Sequence, residues 1–75
     1  MDYFLKRFEQ IFANFLFNQK IYAADPDRCE ESYCSCLREY DRICEQHDYQ
    51  DRFSRQLQSV AEDFKHKVRL AYGRR

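Results

Sequence analysis

Four cysteines fall within one short stretch, Cys29, Cys34, Cys36 and Cys44, spaced C-x4-C-x-C-x7-C. Thiols at this density can pair as disulfides, ligate a soft metal, or react as thiolates, and each chemistry sets its own geometry. The surrounding sequence, CEESYCSCLREYDRICEQH from Cys29 to His47, decides between them. Placed at about 100° per residue, Cys29, Tyr33, Cys36, Leu37, Tyr40, Ile43, Cys44 and His47 fall within about a third of a circle, which predicts a helix burying one face. On one helix no cysteine pair fits a disulfide. Cys29 and Cys34 are five positions apart, Cys36 and Cys44 about 12 Å apart along the axis, and Cys34 and Cys36 point away from each other. A zinc site fares no better, because one helix cannot bring four ligands into a tetrahedron. Cys29, Cys36 and Cys44 therefore read as small buried apolar groups. An intermolecular disulfide or metal bridge, and a locally unwound helix that clusters the thiols, remain as alternatives. Cys34, off the stripe, is the thiol most open to reaction. Reduced thiols fit the cytosol, nucleus or mitochondrial matrix better than a secreted setting.

Other residues offer less chemistry. His47 and His66 belong to different segments, and His47 sits at the end of the buried stripe, where packing or capping suits it better than catalysis. The single glycine excludes a glycine-rich phosphate loop. Glu30 and Glu31 read as charges at a helix N-terminus rather than an acid/base dyad. The expectation is a non-enzymatic chain with no catalytic residues, no metal ligands and no cofactor of its own.

The elements that carry these residues follow from periodicity. The chain has 75 residues, 44% of them hydrophobic, with seven Phe, six Tyr, one Gly and one Pro. That is one domain of long helices and short connections. A core so small is marginal on its own. The first helix is predicted over about 2–22, capped by Asp2, with Phe4, Phe8, Ile11, Phe12, Phe15 and Gln19 on one face, widened by Leu5 and Leu16. Tyr3, Phe17 and Ile21 fall on the opposite side with Ala13. They are either scattered surface aromatics or the place where a larger assembly grips the helix. Asp25-Pro26-Asp27 starts the second helix, over about 26–46. Asp48 or Asp51 caps the third, over about 51–72, whose stripe is Phe53, Leu57, Val60, Ala61, Phe64, Val68 and Ala71. Lys65, Lys67 and Arg69 suit its last turns and Gly73 its end. The fold class is all-α: three amphipathic helices, as an antiparallel bundle or an extended helical subunit.

Net charge is zero but unevenly spread: +1 over residues 1–24, −6 over 25–51 and +5 over 52–75. Either the acidic and basic helices lie antiparallel and attract, or they face different neighbours. The longest apolar stretch, Ile11 to Phe17, is far short of about 20 residues, so no membrane span is expected. No secretory signal is evident, although the amphipathic N-terminus is compatible with an uncleaved organellar targeting helix. The segment from Lys65 to Arg75 carries five bases and an aromatic, a pattern suited to phosphate contact with RNA or to an acidic neighbouring helix.

At Leu37-Arg38-Glu39-Tyr40-Asp41-Arg42 the chain resembles the LYR-motif proteins, a family of small three-helix mitochondrial subunits and assembly factors. Those proteins carry Leu-Tyr-Arg near the start of helix 1 and Arg, an aromatic and a second Arg in helix 2. Leu5-Lys6-Arg7 stands where the tripeptide would be, with Lys6 in place of the tyrosine and Tyr40 where Phe is usual. The resemblance implies a mitochondrial location, matrix side, and docking on an acyl carrier protein through Leu5, Lys6, Arg7, Arg38, Tyr40 and Arg42. It also implies a partner-borne acyl-phosphopantetheine whose chain enters the helices along the Phe-rich stripe. The alternative expectation is a structural subunit of a respiratory or ribosomal assembly with no acyl carrier, in contact through Tyr3, Phe17 and Ile21 or, on RNA, through Arg74 and Arg75. Under both, the partners are subunits of a larger protein complex.

Overall fold

The computed structural model describes residues 1–73. Three helices account for nearly all of them: α1 (Asp2–Ile21), α2 (Pro26–Gln46) and α3 (Arg52–Gly73). A few residues set their ends. Asp25 is extended (φ −124°, ψ 92°) and its Oδ1 accepts the Arg28 N–H at 3.2 Å, while Pro26 takes the first turn, where its missing N–H costs nothing. Of the two acids offered as caps for α3, Asp51 serves: its Oδ1 accepts the Ser54 N–H at 2.7 Å. That hydrogen bond is the main reason its carboxyl pKa lies below the ordinary value. The connection turns at Gln50, whose φ of 55° is left-handed for a residue with a Cβ. Ser54, only 2% exposed, closes the turn: its hydroxyl accepts the Tyr49 N–H at 3.1 Å and donates to the His47 carbonyl.

Two local expectations need correction. Asp2 is not the α1 cap; Met1 holds that position without a side-chain bond, and Asp2 lies in the first turn, where its charge still favours the helix dipole. The last turn of α3 holds no base. Because α3 runs on to Gly73, Lys65, Lys67 and Arg69 stand one to two turns before its end, and two of them make contacts there. Lys65 reaches across to α2, and the Lys67 ammonium sits 4.9 Å above the Phe64 ring.

The helices pack up-down-up, and α1 folds back on both others rather than extending away. Aromatic layers fix the register. At one end Phe4 meets His47 (4.8 Å between ring centres) and Phe53 (5.6 Å). In the middle Phe8, Tyr40 and Phe64 meet at 5.2–5.9 Å. At the far end Tyr33 stacks on Tyr72 at 4.2 Å and 11°. There the Gln19 amide also donates to the Cys29 carbonyl at 2.9 Å, tying the end of α1 to the start of α2. Phe8, Ile11 and Phe15 from α1, Cys36, Tyr40 and Ile43 from α2, and Leu57, Ala61, Phe64 and Val68 from α3 form the core. The result is a rod of 43 × 19 × 17 Å. Among the described residues no helix is long and apolar enough to cross a membrane.

Candidate functional site

The residues gathered by the family resemblance do not share one surface. Lys6 and Arg7 are exposed on α1, where with Tyr3, Gln10, Ile11, Asn14 and Glu39 they line a shallow groove of about 330 Å³ towards α2. Arg38 and Arg42 are exposed one turn apart on α2, and Arg38 lines a separate groove of about 420 Å³ with Asp27, Glu30, Glu31 and Cys34. Neither arginine makes an ion pair among the described residues. Leu5 is half-buried against the core. Tyr40 lies inward, as its place on the buried stripe predicts and against the partner contact that the resemblance implies. It is fully buried, and its hydroxyl donates to the Phe8 carbonyl at 2.9 Å. The physical reason is angular: Arg38 and Arg42 are two positions to either side of Tyr40, which on a helix is the far side. Burial chiefly pushes the Tyr40 phenol pKa up, with the neighbouring Cys36 and Glu39 adding to it.

The phenylalanine stripe of α1 is likewise occupied. Phe8, Ile11 and Phe15 are packed by the chain's own α2 and α3, so an acyl chain entering along them would have to displace α1. A groove of about 570 Å³ between α1 and α2 is walled by Asn14, Asn18, Ser32, Ser35 and Glu39 and is polar rather than apolar.

The opposite face of α1 is different. Tyr3, Phe17 and Ile21 are 68, 63 and 56% exposed, and Leu16 at the edge is 40% exposed. These are large apolar side chains on one side of one helix with no core role, Phe17 and Ile21 adjacent and Tyr3 set apart from them by exposed Arg7, Gln10 and Asn14. Lys6 and Lys20 flank this side, with Asp2 and Glu9.

The four thiols are free. Cys29 is buried and its Sγ lies 3.0 Å from the Tyr22 carbonyl, capping a loose end of α1. Cys36 is buried, and desolvation, helped by the charge of Glu39, pushes its pKa up to about 12. Cys44 is half-buried at the α2–α3 seam and is also pushed up, mainly by burial. Cys34 is half-buried, a place between the exposure expected off the stripe and the core. His47 packs against Phe4 and Tyr49, and His66 is exposed. Among the described residues no three His, Cys, Asp or Glu side chains converge as a metal requires.

One cluster was not anticipated from the sequence. Lys65, read there as a tail base, is buried; its ammonium donates to Asp41 at 2.7 Å and Glu62 at 3.1 Å. The Asp41 hydrogen bond is the main cause of its raised pKa, acting against desolvation. Its position, four residues after Ala61 and three before Val68, was the available signal. Among the described residues this is the one ion pair that joins two helices, so the attraction between acidic α2 and basic α3 is concentrated there. With Lys67 over Phe64, two of the five tail bases work inside the fold; Arg74 and Arg75 lie outside the described residues.

No family model, no curated protein and no solved structure matches this chain.

Proposed function

We propose that this chain is a non-enzymatic helical accessory subunit, held in a larger protein assembly through the outer face of α1. The observation that carries the reading is the exposed set Tyr3, Phe17 and Ile21 on one side of α1; Tyr49 and Leu70 are exposed too, but on separate elements. A 75-residue bundle has little apolar surface to spare from its core, so aromatic and aliphatic side chains left on one helix face suit a surface that a partner covers. The family resemblance places such a subunit in the mitochondrion; that location rests on the resemblance alone.

A second reading keeps the acyl carrier protein as the partner. What favours it is the pair Arg38 and Arg42, exposed one turn apart and free of ion pairs among the described residues, an arrangement suited to phosphate or carboxylates on an acidic carrier. In this reading α1 must loosen to admit an acyl chain, and Tyr40 supports the arginine face from within rather than touching the partner.

Native mass spectrometry of the tagged chain, recovered gently from its own cells, tests both. Under the first reading it is recovered in a large assembly, and Phe17→Glu releases it while Arg38→Glu does not. A co-purifying acidic protein carrying an acylated phosphopantetheine, lost with Arg38→Glu, establishes the second reading and overturns the first. Recovery unaffected by either variant refutes both.

A further inference from the structure

Arg38 shares its groove with Asp27, Glu30 and Glu31, yet it makes no ion pair among the described residues. On one helix, side chains pair with those three or four positions away. For Arg38 those positions are Ser35 and Asp41, and Cys34 and Arg42, so Asp41 is the one acid within that reach. Glu31, the nearest of the groove acids in sequence, lies two turns back, about 10 Å along the axis. Asp41 is engaged elsewhere. Its Oδ1 accepts from the Lys65 ammonium at 2.7 Å, across the seam between α2 and α3.

The competition for Asp41 is unequal. The Lys65 side chain is 11% exposed, and its ammonium has two carboxylates, Asp41 and, at 3.1 Å, Glu62. Taking one of them from a cation so far removed from water is costly, whereas an exposed guanidinium without a partner keeps its hydration. Asp41 therefore goes to Lys65, and the charge of Arg38 is left unanswered. Arg42 differs, because Glu39 and Glu45 stand three positions to either side of it. The charge that this arrangement frees is that of Arg38.

We propose that Lys65 is a positioning residue for anion binding: by holding Asp41 against α3 it leaves the Arg38 guanidinium open to a phosphate or carboxylate group of a partner, with Arg42 one turn further on. Lys65 touches no ligand itself and acts through Asp41. A guanidinium already paired on its own helix would have to give up that pair before taking an anion. The inference rests on the second reading above, in which the arginine face is a binding surface, and names what keeps that surface unpaired.

Titration of the isotope-labelled protein with inorganic phosphate at constant ionic strength, followed by NMR on the Arg38 and Arg42 Nε–H signals, tests it. Phosphate should shift the Arg38 signal in the wild type. Lys65→Met frees Asp41 to swing to Arg38, and phosphate affinity should fall about two- to fivefold, the worth of one exposed pair. Loss of a positive charge also weakens anion binding, so two charge-matched double variants separate the causes. Lys65→Met with Asp41→Asn should recover the wild-type affinity to within about twofold. Lys65→Met with Glu62→Gln carries the same net charge but keeps Asp41, and should stay weak. Two doubles that behave alike overturn the proposal, and so does a Lys65→Met titration identical to the wild type. A wild type whose arginine signals ignore phosphate overturns the arginine surface and the proposal together. If an acidic carrier co-purifies from cells and is lost with Arg38→Glu, while Lys65→Met leaves phosphate affinity unchanged, this inference alone is wrong and the second reading stands.

Discussion

Denaturant titrations between pH 8 and pH 11 measure directly what the burial of Cys36 contributes. The thiol is 5% exposed, and burial, with Glu39 beside it, raises its pKa from 9.0 to about 12. A raised pKa means that the folded state holds this proton more tightly than the unfolded state. The contribution is therefore complete below pH 9 and is lost as pH climbs from 9 towards 12. Each unit of difference corresponds to about 1.4 kcal/mol, so the whole window is worth about 4 kcal/mol. A chain of this length has only about 4–11 kcal/mol in total. Alkali should consequently unfold the bundle, with the slope setting in near pH 9. Cys44 and Lys65 are shifted in the same direction, and so is Tyr40, but the phenol enters only above its ordinary value of 10.0. The interval from pH 9 to 10 thus belongs to the cysteines. Urea unfolding followed by circular dichroism, in reductant, at pH 8, 9 and 10 gives the slope. Cys36→Ala should start lower at pH 8, through lost packing, yet fall less steeply from pH 9 to 10. If the variant and the wild type fall in parallel over that interval, Cys36 is not the buried acid described here.

Tyr40→Phe removes the hydroxyl that donates to the Phe8 carbonyl and leaves the rings in place. Thermal unfolding should show a loss of about 0.5–1.5 kcal/mol, or roughly 4–8 °C in Tm for each kcal/mol. The Lys65 cluster should respond asymmetrically. Asp41→Ala strands a buried ammonium with one partner and should cost about 1–3 kcal/mol, whereas Lys65→Met leaves two exposed carboxylates to water and should cost less than about 1 kcal/mol. Denaturation midpoints of the two variants give the comparison, and equal losses would contradict it. Gln50→Gly relieves a left-handed backbone and should raise stability by about 0.5–1 kcal/mol, read as an upward shift of the urea midpoint.

The sequence by itself determined the three helices and most of their ends. Those depend on local physics: the Asp25-Pro26 start, the Asp51 cap, and apolar spacing near 3.6 residues that marks Phe8, Cys36, Tyr40, Leu57 and Val68 as inward. It also marked Tyr3, Phe17 and Ile21 as standing opposite the core, which needs only the helical angle. Tertiary structure decided what each side chain meets, and no local pattern encodes that. Lys65 reads as a solvated tail base until α2 is laid antiparallel beside it and Asp41 comes within 2.7 Å. The spacing turns Tyr40 inward although the resemblance groups it with Arg38 and Arg42, but only packing names its partner, the Phe8 carbonyl. The phenylalanines of α1 read as walls of a slot until α2 and α3 supply the rings that fill it. Helical propensity and capping act within a few residues, whereas desolvation and ion pairing depend on neighbours 24 to 32 positions away along the chain. Only the register of one helix against another brings those neighbours into contact.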